Sequence, residues 1–110
     1  MISKVFIDIN CDVGEGIGNE RALFPHISSC NIACGGHAGD VNTMSEIVRL
    51  AQKFGIKAGA HPSYPDRENF GRKSMKIEKR LLISSIQNQI KELESILNSS
   101  NMQLHHIKAH

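Results

Sequence analysis

The chain of 110 residues lacks any long apolar run; its unbroken hydrophobic stretches extend only a few residues, too short for a membrane-spanning helix. The start, Met1 to Asn10, has no apolar core of about 7–15 residues of the kind that marks a secretory signal, so the sequence reads as cytoplasmic. An excess of one charge is missing too. Thirteen Lys and Arg face eleven Asp and Glu, and neither the net charge of +2 nor any basic run supports binding to nucleic acid or to an acidic membrane. Cysteines number three, an odd count that builds no disulfide framework. A chain of this size can bury roughly 60–70% of its unfolded surface and needs no cross-links, so a reducing compartment fits. No segment matches GxxxxGK[ST], and Gly14-Glu-Gly-Ile-Gly18 lacks dinucleotide-fingerprint spacing, so the chain carries no recognisable ATP site of its own. What remains is 40% hydrophobic and 22% charged, the composition of one globular domain.

Periodicity divides the chain into alternating strands and helices. Lys4 to Asn10 alternates and is β-rich, which predicts a first strand ending in the polar cluster Asp8, Asn10, Asp12 and Glu15. A glycine loop follows, with a short helical turn over 19–26 that Pro25 bends. Cys30 to Cys34 predicts a second strand. Val41, Met44, Ile47, Val48, Ala51 and Phe54 form the stripe of an amphipathic helix with Asp40 as N-cap and Gly55 at the stop. Ile56 to Ala60 predicts a third strand, closed by the extended dipeptide His61-Pro62. Leu82, Ile86, Ile90, Leu93 and Leu97 mark a longer helix over 78–98, and Leu104 to Ala109 a fourth strand running into His110. This order builds an α/β fold of parallel strands with outer helices. A closed (β/α) barrel takes about 250 residues, so the four strands of residues 1–110 make either a small open sheet or half of a closed, here incomplete, barrel, and the chain looks unfinished.

Polar residues gather just after the strands: Asp12 and Glu15, then His37 and Asp40, then His61 and Asp66, then His110. In a parallel α/β array these strand ends share the face where such folds place their active sites. Loop polarity by itself accounts for Arg67, Glu68 and Asn69, but less well for elements that end in His or Asp beside Gly or Pro. Gly35-Gly-His-Ala-Gly-Asp40 lets the backbone approach a ligand and leads into a helix N-terminus, which favours an anion or an oxyanion beside His37. His105 and His106 point to opposite sides of a strand and read as structural. Cys30 and Cys34, about 13 Å apart along a strand, read as small buried hydrophobes rather than zinc ligands. A mixed histidine and carboxylate site for a divalent metal, drawing on Asp12, His37, His61 and His110, stays open.

Asp8-Ile-Asn-Cys-Asp-Val-Gly-Glu15, Ser29-Cys-Asn-Ile-Ala-Cys-Gly-Gly-His-Ala-Gly-Asp40, Gly59-Ala-His-Pro-Ser-Tyr-Pro-Asp66, Phe70-Gly-Arg72 and Ile107-Lys-Ala-His110 together resemble the A-subunit family of 5-oxoprolinase, also called the lactam-utilisation family. The resemblance spans the chain in order. It departs at Gly36, where the family usually has Phe, at Ala109, where it usually has Pro, and in a short stretch after Gly16. The resemblance implies a barrel of the glycoside hydrolase/deacetylase type, of which this chain matches the N-terminal half. It further implies ATP-dependent opening of 5-oxoproline to L-glutamate with two partner subunits, which would handle ATP. On this reading Asp12 or His61 acts as base, His37 with the glycine turn stabilises an oxyanion or phosphate, and Glu15, Asp66 and His110 orient. Asn10, Gly35, Gly36, Asp40 and Tyr64 join Glu15, Asp66 and His110 as the substrate-binding set. Two other classes compete: a metal-dependent, deacetylase-like amide hydrolase without ATP, and an inactive fragment or binding subunit.

Overall fold

A computed structural model describes residues 3–110. Four strands, β1 (Asn10–Val13), β2 (Ser29–Ala33), β3 (Lys57–His61) and β4 (His106–Ile107), form one parallel sheet in sequence order. Between β1 and β2 run α1 (Glu20–Leu23) and a 3-10 turn (Phe24–His26) with Pro25 in its first turn; α2 (Val41–Phe54) joins β2 to β3 and α3 (Lys79–Ser99) joins β3 to β4. The α/β architecture is that of an incomplete barrel, as the alternation of periods predicts.

Helix α2 follows from local chemistry alone. The Asp40 carboxylate accepts from the Thr43 amide at 2.8 Å, and Gly55, at φ 66°, takes the left-handed conformation that ends the helix and suits glycine. Its buried stripe of Met44, Ile47, Val48 and Ala51 packs on the sheet, joined by Leu93 and Leu97 of α3. The sheet side of this core is Val13, Cys30, Ile32, Ala58 and Ala60.

Because side chains alternate across a strand, the opposite face carries Asn10 and Asp12, Ser29 and Asn31, Gly59 and His61, and His106 and Lys108. Register aligns Asp12, Asn31, Gly59 and His106 in one row across all four strands. A Cβ at Gly59 would collide with the His106 ring, so the glycine makes room for it. The helices therefore cover one face with apolar contacts, and the other face is polar.

Strand boundaries differ from those expected at the first and last strands. β1 starts at Asn10 rather than Lys4, because β2 begins only at Ser29 and residues 3–8 have no ladder to join. Asp12 consequently lies inside a strand rather than after it. β4 has two formal residues, but its ladder continues through His105 N to Ala58 O (2.9 Å), Lys108 N to Ala60 O (2.9 Å) and His110 N to Pro62 O (3.0 Å). β3 extends to His61, one residue beyond the expected end. Among the described residues, no helix is long and apolar enough to cross a membrane.

Candidate functional site

The carboxyl ends of the strands deliver five side chains to one place. Asp12 comes from within β1, Glu15 from the turn after it, His37 from the glycine turn after β2, His61 from the last position of β3 and His110 from beyond β4. Gly71, at φ 67°, closes the loop after β3 against the His37 and His110 rings. A Cβ there would stand 3.0 Å from His37 Cβ, so the position admits little else.

The geometry is tight. His37 Nε2 meets Glu15 Oε2 at 2.5 Å, and the same oxygen lies 3.7 Å from His61 Nε2 and 3.8 Å from His110 Nδ1. His61 Nε2 also lies 3.4 Å from Asp12 Oδ2. The His37 and His110 rings stack at 3.8 Å with 4° between their planes, while His61 and Phe70 stand edge-on to both. His37 and His61 are 2% and 0% exposed, so water does not compensate their electrostatics.

On the outward side, each imidazole is held by a second group. His61 Nδ1 bonds Lys108 O at 2.7 Å and His110 Nε2 bonds Phe70 O at 2.8 Å. A carbonyl only accepts, so both of these ring nitrogens donate, and in the neutral form each ring turns its lone pair inward. His37 Nδ1 pairs with Ser63 Oγ at 2.8 Å. Ser63 is in turn clamped by Gln89, which accepts from Ser63 N at 3.0 Å and donates to Ser63 O at 2.9 Å. The inward His61 Nε2 is buried and, among the described residues, has no hydrogen-bond partner.

Charge is distributed unevenly. Burial pushes the His37 imidazole below the ordinary histidine value, against the raising hydrogen bond from Glu15. Burial alone would raise the Asp12 carboxyl, but the Asn31 amide (2.8 Å) and the Lys108 ammonium (3.1 and 3.3 Å) outweigh it and hold Asp12 below the usual carboxylate value. Asp12 is therefore a carboxylate beside His61. The arrangement can position water, exchange protons between carboxylate and imidazole, and offer four metal-ligating atoms from Glu15, His37, His61 and His110.

The remaining residues singled out in the sequence sit nearer the rim. Asp40 caps α2 and, with Glu15, His37 and Arg67, lines a cleft of about 340 Å³. Gly36 packs against Ser63 and Gln89, where a side chain would collide, and Gly35 begins the turn that carries His37. Asp66 directs its carboxylate to Asn69, accepting from its amide nitrogen and side chain at 3.3 and 2.8 Å, and Tyr64 is exposed. Asn10 lies toward the opposite end of the sheet, exchanging hydrogen bonds with Asn31. Cys30 and Cys34 are core residues. Burial lifts their thiols to about 12 and about 11.

Sequence reasoning missed Asn31, Ser63, Gln89 and Lys108. Two left a signal: Asn31 is the polar residue inside an otherwise apolar strand, and Lys108 shares a strand face with His106 and His110 by period two. Ser63 and Gln89 meet only through tertiary contact.

A parallel sheet with outer helices and a histidine–carboxylate cluster at the carboxyl ends of its strands defines part of a (β/α) barrel with its site where barrel enzymes keep theirs. The family model described as the LamB/YcsF family matches residues 7–110, and the chain belongs to that family. Among solved structures it is similar to the lactam utilization protein from Thermus thermophilus, at 38% identity and a TM-score of 0.90. The match covers 96% of this chain and 45% of that one, so the chain spans less than half the length of its solved relative. The resemblance drawn from the motifs holds along the chain.

Proposed function

We propose that the protein is a component of an ATP-dependent 5-oxoprolinase that opens 5-oxoproline to L-glutamate. The observation that carries the reading is the convergence of Asp12, Glu15, His37, His61 and His110 at the strand ends of a LamB/YcsF-family chain. The lactam named for its solved relative gives the substrate class. Residues 1–110 are, on this reading, the N-terminal half of one barrel domain, acting in the cytoplasm, where three free cysteines suit a reducing environment.

An amide carbonyl is a poor electrophile. Phosphorylating its oxygen turns that oxygen into a leaving group and lets water attack the carbon. On this reading two partner subunits handle ATP, a division that fits a sequence without a phosphate loop and leaves proton transfer and water positioning to this chain. His61, with its unpartnered Nε2 beside the ionised Asp12, serves as base, and Asp12 holds the resulting imidazolium. His37 and the turn from Gly35 face the developing oxyanion or phosphate, and Glu15 and His110 fix the approach of substrate. Gly36, Asp40, Tyr64 and Asp66 complete the substrate-binding set at the rim, and Asn10, at the opposite end of the sheet, falls outside it.

The test is reconstitution of the full-length protein with its two companion subunits. Glutamate should form from 5-oxoproline only when ATP is present, and Asp12→Ala or His61→Ala should lower turnover by about 10²–10⁴. A second reading, an amide hydrolase that uses a divalent metal and no ATP, is favoured by the four clustered ligand atoms. Turnover by the single protein without ATP would select it.

A further inference from the structure

We propose that Glu15, His37, His61 and His110 form a binding centre for one divalent transition-metal ion of the zinc class. The proposal uses the site described above and stands whether or not its chemistry needs ATP; an ion on His61 Nε2 takes up that lone pair and leaves Asp12, the other candidate, as the base.

The four ligand atoms lie within 4.8 Å of one another. Three are ring nitrogens, and in the neutral rings two of these, His61 Nε2 and His110 Nδ1, are the lone-pair nitrogens, since the opposite nitrogens donate to the Lys108 and Phe70 carbonyls. Both point at Glu15 Oε2 from 3.7 and 3.8 Å. Lone pairs facing a carboxylate oxygen repel, and His61 Nε2 is buried with no donor to relieve it. The one contact of hydrogen-bond length among the four atoms is that between His37 Nε2 and Glu15 Oε2, at 2.5 Å. A cation in the middle satisfies all four atoms together.

The surroundings fit that occupant. Imidazoles that bind metal hold their other nitrogen on a carbonyl, a carboxylate or water, which fixes the tautomer and the ring plane. Here two carbonyls and a hydroxyl do so. An ion on His37 Nε2 and Glu15 takes the place of the proton between them, any further proton leaving to solvent, and the neutral His37 ring then carries its one proton on Nδ1. Ser63 can accept it, because the Ser63 hydroxyl hydrogen has a second acceptor in Tyr64 O at 3.2 Å. Three imidazoles and one carboxylate suit zinc, cobalt or a similar ion, whereas magnesium and calcium take oxygen ligands.

The experiment uses the full-length protein, stripped with a chelator and titrated with Zn(II) or Co(II) alone. The bound ion is counted by mass spectrometry after desalting, and Co(II) is followed by its visible absorption. We expect one ion per chain, a Co(II) band of low-coordinate intensity, and no retention of Mg(II). Binding should weaken at least about 100-fold in Glu15→Gln and His61→Ala, about 10-fold in Ser63→Ala, and not at all in His105→Ala, whose ring is outside the cluster. Circular dichroism reports folding; if His61→Ala does not fold, Glu15→Gln in the half-buried turn decides. A folded wild type that retains no ion, or Glu15→Gln that retains it equally, overturns the proposal. A wild type that retains no ion on titration yet opens 5-oxoproline with its partners and ATP would remove the metal centre alone. An ion-binding protein without that activity would remove only the lactam reading.

Discussion

His106 shows how the polar sheet face is held together one residue at a time. Its Nε2 lies 2.6 Å from Asn31 Oδ1, over the gap that Gly59 leaves, and Asn31 in turn donates to Asp12 Oδ1 at 2.8 Å. A chain of hydrogen bonds therefore runs from the middle of the sheet to the site. Burial lowers the His106 imidazole below the ordinary histidine value, with the neighbouring His105 adding to the effect. The folded state thus resists a proton that the unfolded state accepts. Its contribution to stability is present above the unfolded value of about 6.5 and is lost as pH falls through the lower, folded value. Urea titrations at pH 7.5 and 5.5 should show a lower midpoint at 5.5, and His106→Gln, which keeps a donor for Asn31, should lose less between the two. An equal loss in both proteins would assign the acid sensitivity to other groups. Thiol chemistry gives a second test at this scale. Cys30 and Cys34, raised to about 12 and about 11 by burial, should resist a thiol reagent in the native protein and react fully after denaturation. Rapid native labelling of all three cysteines would contradict the core assigned to them.

Among the elements, α2 was wholly readable from the sequence because its cap, its stripe and its terminating glycine are all local. Gly55→Ala forces a side chain into the left-handed region and should destabilise by about 1 kcal/mol. In α3, Leu93 is fully buried against the core, and Leu93→Ala should cost about 2–5 kcal/mol. Both are measured as shifts in the urea midpoint; an unchanged midpoint for Leu93→Ala would mean that the helix packs elsewhere. The strands were less readable. Lys4 to Ile9 has the pattern of a strand, yet a strand exists only where a partner runs beside it, and β2 supplies one from Ser29. The clustering of His37, His61 and His110 followed from topology, since parallel strands end on one side. Which nitrogen of each ring faces inward did not, because the Lys108 and Phe70 carbonyls, Ser63 and Gln89 come from distant segments whose approach no local pattern encodes.

At the scale of the molecule, the sheet leaves β1 and β4 as open edges, and one of its faces carries helices while the other is polar. Val5, Phe6 and Ile7, next to β1, are 79–92% exposed. Open edges and exposed apolar residues invite pairing between chains, so the 110-residue chain should self-associate as its concentration rises. Light scattering should detect this, and Phe6→Lys should reduce it; a monodisperse monomer at high concentration would contradict the expectation. The central claim concerns the centre of the molecule, where three imidazoles, two of them with the outer nitrogen held on a carbonyl, meet one carboxylate. The most direct measurement is long-range proton–nitrogen correlation NMR of the histidine-labelled protein at neutral pH without added metal. We predict that His61 carries its proton on Nδ1 and His110 on Nε2, and that adding 5-oxoproline perturbs these rings and His37 while leaving His26 unmoved. His61 protonated on Nε2 alone, or rings averaging between tautomers as in free imidazole, would contradict the site described here.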